Sequence, residues 1–162
     1  ADRGAKARRE TVQSLADVAS AVAELHEAHM EEAGLRVRID GDAGGALDAR
    51  LLQRALSNLI GNATRHAQRG SEVVVRIEGS RDETSLSVVN QGATIAPEHL
   101  PRLFDRFYRV DASRSGAARN HGLGLAIVAA IARMHGGRVA ATSSDGTTSI
   151  GLVIPTTPTE PA

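Results

Sequence analysis

The chain has 162 residues, of which 41% are hydrophobic, so it has the size of one ordinary domain and enough apolar material for a core. Nineteen Lys and Arg balance nineteen Asp and Glu, which excludes the global positive field that draws proteins to nucleic acid, and any phosphate binding must be local. The sequence contains no cysteine, which excludes a disulfide framework, a thiolate metal site and a cysteine nucleophile, and fits a reducing compartment.

The beginning of the chain shows helical and then extended patterns. Residues 1–10 are polar and without periodicity, so we predict a tail or the stump of a preceding linker. Apolar positions at helical spacing predict a first helix over 15–33. An alternating strand over 35–39 and a loop over 41–45 follow it.

A second long helix is predicted from its N-cap Asp48 to about Ala67, with an apolar stripe along one side. Two alternating segments, 73–77 and 86–88, flank a turn-like sequence and predict a hairpin. Pro97 stands where it can open a short helix.

The last third of the chain predicts a loop, a helix and a hairpin. Residues 111–121 are rich in Ser, Gly, Ala and Arg, which indicates a mobile loop. Residues 123–134 have a helical pattern that ends at two glycines. The final strands, 139–143 and 149–154, surround an Asp-Gly turn.

Three main helices and five strands predict one α+β domain over residues 11–156, with an antiparallel-rich sheet covered on one face by helices. Residues 157–162 are predicted to be a loose C-terminal tail. No apolar run approaches the roughly 20 residues that cross a bilayer, and the start of the chain lacks the apolar core of a signal peptide. We therefore expect a cytosolic piece of chain.

The second helix carries a polar flank beside its apolar stripe. Four residues fall at positions i, i+4, i+7 and i+8: Asn58, Asn62, Arg65 and His66. An Asn carbonyl suits Mg²⁺ and cationic donors suit phosphate oxygens, although a flank that faces solvent explains the pattern equally well. Gly61, in the interior of the helix, lowers the stability of the helix by about 1 kcal/mol relative to Ala, which indicates the close approach of another group.

Two other segments carry candidate chemistry. Gly122 and Gly124 place a glycine turn at a helix N-terminus, where free N–H groups and the dipole favour phosphate, but such turns are common. Asn90 ends a strand on its inward face. It can pair with the edge of a base, or cap the turn formed with Gly92.

Four segments resemble the motifs of sensor histidine kinases. The N box is matched by NLIGNATRH, the G1 box by VVNQGATI, the F box by LFDRFYRVD and the G2 box by HGLGLAI. All four occur in the family's order and at about its spacing, and the similarity covers about residues 12–155. The chain thus resembles the ATP-binding catalytic domain of these two-component kinases, and its Asn90-x-Gly92 form resembles the heavy-metal, or copper, sensor branch.

This resemblance implies the Bergerat ATP-binding fold, a two-layer sandwich of a mixed, mostly antiparallel five-stranded sheet covered on one face by three helices. ATP and Mg²⁺ are expected between the layers, under a lid that here covers roughly 104–121. By motif position, Asn62 is the expected Mg²⁺ ligand, with Asn58 beside it on the pocket wall. Arg65 and His66 are expected to meet the phosphates.

The remaining motifs imply the rest of the ATP site. Asn90 takes the place of the family's adenine-reading Asp, and Gly92 lets the backbone approach the base. Arg109 is the expected γ-phosphate contact and, with Asn58 and Arg65, one of three expected catalytic residues. The other expected nucleotide contacts lie in the G1, F and G2 boxes: Ile95, Phe104, Phe107, Tyr108, Gly122, Leu123, Gly124 and Leu125.

The aromatic residues of the chain all fall within five positions of the F box. Chance in an Ala-rich sequence, or an anchor for a mobile segment, can produce this clustering. The resemblance implies that Phe104 and Phe107 anchor the lid.

Three positions depart from the family's pattern. Asn90 replaces a carboxylate by an amide, whose single acceptor oxygen can still pair with the adenine amino group. Thr94 and Asn120 stand where the commonest patterns have glycine, so the loops lose backbone freedom there.

The family's H box, a His followed by an acidic residue, an Arg and a Pro, is absent. His26 and His29 are expected to be ordinary histidines, and His135 to lie at a helix C-terminus where positive charge is favourable. The phosphoacceptor is therefore expected on a separate dimerisation domain. This chain is expected to be a monomer in isolation and to bind Mg·ATP. The full-length kinase is expected to be an inner-membrane homodimer that acts with a response regulator.

Two other classes of function remain open. ATP hydrolases of the same superfold use a Glu one helical turn before the Mg²⁺-binding Asn, and here that position is Asn58, which has no basic site. A degenerate nucleotide-binding or regulatory module is motivated by Asn90, Thr94 and Asn120. An anti-sigma-factor serine kinase is close in fold, but LFDRFYRVD is typical of histidine kinases.

Overall fold

The structure of the protein is a computed structural model that describes residues 6–108 and 124–156. The helices in these ranges are α1 Leu15–Leu25, α2 Glu27–Glu32, α3 Ala49–His66 and α4 Gly124–Met134, with a 3₁₀ turn at Leu100–Arg102. The strands are β1 Glu10–Val12, β2 Arg36–Asp40, β3 Gly45–Leu47, β4 Glu72–Gly79, β5 Glu83–Gln91, β6 Arg138–Ser144 and β7 Thr147–Pro155. Among the helices that the structure describes, none is both long enough and apolar enough to span a bilayer.

The main sheet is mixed and mostly antiparallel, as predicted. Its strand order is β2-β4-β5-β7-β6, in which the β2–β4 pair is parallel and the other pairs are antiparallel. Asp145 and Gly146 join β6 to β7 with φ angles of 51° and 80°, which suit a two-residue hairpin turn. The α+β class and both predicted hairpins are confirmed.

The core lies between the main sheet and the helices. Alternate residues of the central strands are buried, because successive side chains on a strand point to opposite faces. On β4, β5 and β7 these are Val73, Val75, Ile77, Leu86, Val88, Ile150, Leu152 and Ile154. The matching stripe of α3 consists of Leu52, Ala55, Leu56, Leu59, Ile60 and Ala63. Burial of each large side chain stabilises the fold by about 1.5–3 kcal/mol, and it fixes the direction in which the polar flank of α3 points.

The first predicted helix is two helices, so the prediction of one continuous helix was wrong. At His26 the backbone has φ −101° and ψ 1°, which ends α1, and α2 begins at the next residue. The imidazole Nε2 lies 2.9 Å from Ser57 Oγ on α3. The break redirects the apolar stripe, so that Met30 is buried whereas Leu25 is 82% exposed. His26 itself is half-buried, as expected.

The segment before α1 is attached to the domain. The Ala7 N–H donates to Met134 O at 3.1 Å, and β1 pairs with β3 so that Thr11 lies opposite Ala46. Residues 7–10 are therefore bonded to the domain and are not a free tail, and β3 begins inside the predicted loop. Strands of three residues are too short to show a period in the sequence. The tail over 157–162 lies outside the described residues.

A polar network joins this segment to the ends of α3 and α4. The Arg8 N–H donates to Asp48 Oδ2 at 2.8 Å. The Arg9 guanidinium donates to three backbone carbonyls, at 2.9, 3.3 and 2.5 Å: those of Ala46, Pro155 and His135. One side chain thereby connects β3, the end of β7 and the end of α4.

His135 stands at the centre of the network, with 1% of its surface exposed. Its Nδ1 lies 3.0 Å from Ile131 O, and its Nε2 lies 3.1 Å from the Asp48 N. A backbone N–H can only donate, so Nε2 accepts and the imidazole is neutral. Burial lowers the pKa of His135, and the charge of Arg9 adds to this against the opposing effects of Ile131 and Asp48. The expectation of a favourable positive charge here was wrong, because the ring is desolvated.

Acid should destabilise the fold in part through His135. A histidine whose pKa is lowered by folding stays neutral in the native state, while the unfolded chain takes up a proton below about pH 6.5. The unfolding free energy therefore falls as the pH drops. His135→Gln keeps an acceptor for the Asp48 N–H but does not titrate.

We expect wild type to lose more unfolding free energy than His135→Gln between about pH 7.5 and about pH 5.5, by up to about 1.4 kcal/mol per pH unit below pH 6.5. Urea denaturation at the two pH values measures the difference. His29→Gln removes an exposed histidine and serves as the control. Equal losses in wild type and His135→Gln would contradict the neutral, buried ring.

Candidate functional site

The candidate site is built on α3 and α4, which run antiparallel. At one end, the Asp48 that caps α3 lies beside His135 at the end of α4. Asp48 Oδ1 accepts from the Leu51 N–H at 3.2 Å, which confirms the predicted N-cap. At the other end, Gly124 at the start of α4 faces Asn58.

The space between Gly124 and Asn58 is large enough for a Cβ atom on residue 124. A Cβ on Gly124 would lie 3.9 Å from Asn58 Cβ and 4.0 Å from Asn58 Cγ, which are ordinary van der Waals distances. Contacts with the described residues therefore do not require glycine here. Asn58 Nδ2 is buried and has no hydrogen-bond partner within the described ranges. A buried donor left unpaired costs about 1–3 kcal/mol, so this amide is available to a bound molecule.

The predicted polar flank of α3 is continuous. Asn62 lies one helical turn after Asn58 and is half-buried, while Arg65 and His66 lie at the exposed end of the helix. A hard amide oxygen and cationic donors are thus arranged along one side of a single helix.

Two side chains lie near Gly61, but neither approaches closely enough to require glycine among the described residues, in contrast to the prediction. A Cβ on Gly61 would lie 3.7 Å from Arg65 Nη1 and 3.9 Å from His26 Cε1, so the guanidinium folds back along α3. Burial lowers the pKa of Arg65. Burial, and then the charge of Arg65, lowers the pKa of His66 and favours a neutral ring. Both side chains keep exposed surface, so neighbouring protein removes only part of their hydration.

The end of α3 is fastened to the loop after β5. Ala67 and Gly92 form an antiparallel bridge, and the Gln68 N–H donates to Gln91 O at 2.6 Å. A Cβ on Gly92 would lie 2.4 Å from His66 O, a distance that real Cβ atoms essentially never show. Glycine is therefore required at position 92 by packing against α3, besides any approach to a base.

Asn90 lies on the inward side of β5, as predicted. It is 4% exposed and pairs across the sheet with Thr148 of β7, which is equally buried. A carboxylate in this place would lose its hydration, whereas the neutral amide carries a smaller desolvation cost. The burial thus gives a physical reason why an amide is tolerated here.

The aromatic segment differs from the prediction. Phe104 is half-buried and packs against the core, in agreement with an anchor. Phe107 is 65% exposed with φ 65°, so it does not anchor the segment. Tyr108 is held instead, because its hydroxyl hydrogen-bonds to His99 Nδ1 and Arg102 lies 4.6 Å from its ring centroid. Sequence reasoning missed His99 and Arg102, since no periodicity pairs them with Tyr108.

The structure describes only some of the other predicted site residues. Ile95 and Leu125 are half-buried and pack against the core. Arg109, Asn120, Gly122 and Leu123 lie outside the described residues, as does the predicted lid from residue 109 onward. The nucleotide contacts proposed for all of these residues stay predictions.

One flank of α3 meets both glycine segments. Asn58 faces Gly124, and the carbonyl of His66 touches Gly92. Asn58 and His66 are eight residues apart, which is about 12 Å along an α-helix. The structure thus brings the amide-bearing helix and the two glycine segments together, as the sequence hypothesis required.

This fold and this pairing of motifs define an ATPase domain of a known family. Residues 47–158 match the family model described as histidine kinase-, DNA gyrase B-, and HSP90-like ATPase. The chain belongs to this family. Its α+β fold and its resemblance to sensor histidine kinases are confirmed.

The most informative relatives are sensor kinases. Sensor histidine kinase CusS of Escherichia coli (strain K12) is 45% identical over 143 residues, which are 88% of this chain and 30% of that protein. Sensor protein CzcS of Cupriavidus metallidurans is 39% identical over 126 residues, which are 77% of this chain and 26% of that protein. The chain thus spans less than a third of the length of these relatives.

Solved histidine kinase structures share the fold. The catalytic domain of histidine kinase ThkA has a TM-score of 0.80 at 21% identity, over 93% of this chain and 97% of that one. Mycobacterial sensor histidine kinase MprB has a TM-score of 0.75 at 26% identity, over 93% of this chain and 99% of that one. The chain therefore has the fold of a histidine kinase catalytic domain.

Two glycine-to-alanine variants should change stability in opposite directions. Gly92→Ala places a Cβ against His66 O and should lower the unfolding free energy by about 1–3 kcal/mol. Gly61→Ala makes only ordinary contacts and should raise it by up to about 1 kcal/mol through helix propensity. Urea denaturation of both variants measures the effects, and a Gly92→Ala protein as stable as wild type would refute the close contact.

Proposed function

We propose that this chain binds Mg·ATP along the polar flank of α3 and supplies it for phosphoryl transfer to a histidine on a separate dimerisation domain. The observation that carries the proposal is the buried Nδ2 of Asn58, which lies opposite Gly124 and has no hydrogen-bond partner among residues 6–108 and 124–156. Contacts among the described residues explain neither the glycine nor the free donor. A polar ligand that comes close to the backbone accounts for both.

The phosphate end of the nucleotide is proposed to lie at Gly124. The described part of α4 begins at Gly124, and the free N–H groups and dipole at the start of a helix attract anions. Asn58 Nδ2 can donate to an oxygen at the same place. The base end is proposed to lie at the other end of the flank, beside the buried amide of Asn90, and the packing of Gly92 against His66 supports this. His66 then lies nearer to the base than to the phosphates.

The residues on α3 fit a Mg²⁺ ion delivered with the nucleotide. Within the described ranges, no group of three or more His, Cys, Asp or Glu side chains could hold a metal. Mg²⁺ often binds through one or two protein oxygens together with substrate phosphates, and the half-buried Asn62 offers such an oxygen. The bound ion would neutralise charge on the phosphates.

The proposed reaction is transfer of the γ-phosphoryl group from ATP to a histidine nitrogen, which leaves ADP. Such transfer depends mainly on positioning and on charge neutralisation. Arg65 is the described cationic candidate, and Arg109 remains the second by motif position. Asn58 cannot take a proton from water, which disfavours direct ATP hydrolysis. Transfer to a supplied acceptor is therefore the better-supported reaction.

The whole protein is proposed to be a homodimeric sensor kinase whose catalytic domain lies in the cytosol. A histidine-bearing domain of the same kinase would accept the phosphoryl group and a response regulator would receive it next. In support, a ThkA structure with a TM-score of 0.75 holds that kinase in complex with the response regulator protein TrrA. A response to copper or a similar metal is proposed from the Asn90-x-Gly92 form.

Asn62→Ala should weaken Mg²⁺-dependent binding of a non-hydrolysable ATP analogue by more than about tenfold, because it removes the proposed metal ligand. Calorimetric titration with and without Mg²⁺ measures this. Gln53→Ala, at an exposed position of the same helix, is the control and should bind like wild type. Unchanged binding would remove Asn62 from the metal site, and no binding by wild type at millimolar nucleotide would favour the degenerate module.

Asn90→Asp should preserve the affinity for adenine nucleotide or raise it by up to about tenfold, since a charged acceptor bonds the adenine amino group more strongly. The same variant should lower the thermal midpoint in the absence of nucleotide, because the new carboxylate is buried. Titration and thermal unfolding test the two effects separately. A large loss of affinity in a folded Asn90→Asp protein would show that Asn90 does not read the base.

A further inference from the structure

The loop after β5 is clamped to the hairpin of β6 and β7. This loop, residues 92–95, is called the base-side loop below. The Gly92 N–H donates to Gly146 O at 2.8 Å, and the Gly146 N–H donates back to Thr94 Oγ1 at 2.7 Å. Both backbone groups of the hairpin glycine are therefore used by the base-side loop.

A second contact holds the other end of the base-side loop. The Ile95 N–H donates to Ser143 Oγ at 2.8 Å, and Ser143 Oγ lies 2.7 Å from Thr148 Oγ1. Thr148 is the buried cross-strand neighbour of Asn90. The hydroxyl chain thus runs from the loop backbone to the residue that faces the proposed base.

Gly92, Thr94 and Ile95 belong to the G1 box, whereas their partners Gly146, Ser143 and Thr148 lie outside the four sequence motifs. The Thr94 hydroxyl is the acceptor that closes the reciprocal pair with Gly146, and a glycine at position 94 would have no such group. A threonine also restricts the backbone more than glycine does. A position that departs from the family's common pattern therefore supplies a side-chain contact that fixes the base-side loop to the hairpin.

We infer that Thr94 is a positioning residue, which through its bond to Gly146 sets the base-side loop and thereby the preference for adenine over guanine. This inference rests on the proposed nucleotide binding. Adenine and guanine differ in the groups that a pocket reads at one edge of the ring. A loop held in one place discriminates between these edges better than a loop that can adjust to both.

The test compares the 162-residue wild type with Thr94→Val, which keeps the shape but removes the hydroxyl, and with Thr94→Ser, which keeps the hydroxyl. Thr142→Val is the matched control, since Thr142 is an exposed threonine next to Ser143 on β6. Each protein is titrated with the β,γ-imido analogues of ATP and GTP in Mg²⁺, and its thermal midpoint is measured. The readout is the ratio of the two dissociation constants.

We expect Thr94→Val to reduce the adenine preference by about threefold to tenfold, mostly through weaker binding of the ATP analogue. Thr94→Ser and Thr142→Val should keep the wild-type ratio. An unchanged ratio in Thr94→Val, or equal weakening of both analogues together with a lower thermal midpoint, would overturn the positioning role. Binding of neither analogue by wild type would remove the proposed function, and this inference with it.

Discussion

The antiparallel packing of α3 against α4 is the constraint on which the rest of the structure depends. At one end, the neutral His135 joins the two helices by bonding to Ile131 O and to the Asp48 N–H in a buried place. At the other end, Asn58 faces Gly124, and its amide donor has no partner in the part of the chain that the structure describes. The hydrogen bonds at the His135 end fix the angle and spacing of the two helices. The end at Asn58 and Gly124 can therefore stay open without loss of the fold. Stability and the candidate site are thus properties of opposite ends of one helix pair.

The flank of α3 also connects the two parts of the site that the sequence motifs describe separately. The carbonyl of His66 leaves no room for a side chain at position 92, so the loop that follows Asn90 is seated on the end of the helix. Because the helix is rigid, the distance between this loop and Gly124 is set by the number of residues between Asn58 and His66. A nucleotide bound along the flank would contact the protein near Gly124 and near the loop after Asn90, and the helix holds these two places at a fixed separation.

Local patterns in the sequence, such as hydrophobic alternation over several residues, predicted the fold well. The alternation in β4, β5 and β7, the cap at Asp48 and the Asp-Gly turn are local signals, and the structure has each of them. Local signals could not reveal the break at His26, which depends on a partner in α3, or β1 and β3, which have three residues each. The bond between Thr94 and Gly146 joins residues 52 positions apart. Motif resemblance brought Asn58 and Gly124 together correctly, but it assigned Phe107 an anchoring role that its exposed, left-handed conformation does not allow.

Arg9 has a mechanical consequence for the domain. Its guanidinium holds carbonyls that belong to β3, to the last residue of β7 and to the residue after α4. A movement that pulls residues 7–9 away from the domain must therefore break these bonds or carry the end of α4 with it, so Arg9 couples the chain before β1 to one end of the helix pair.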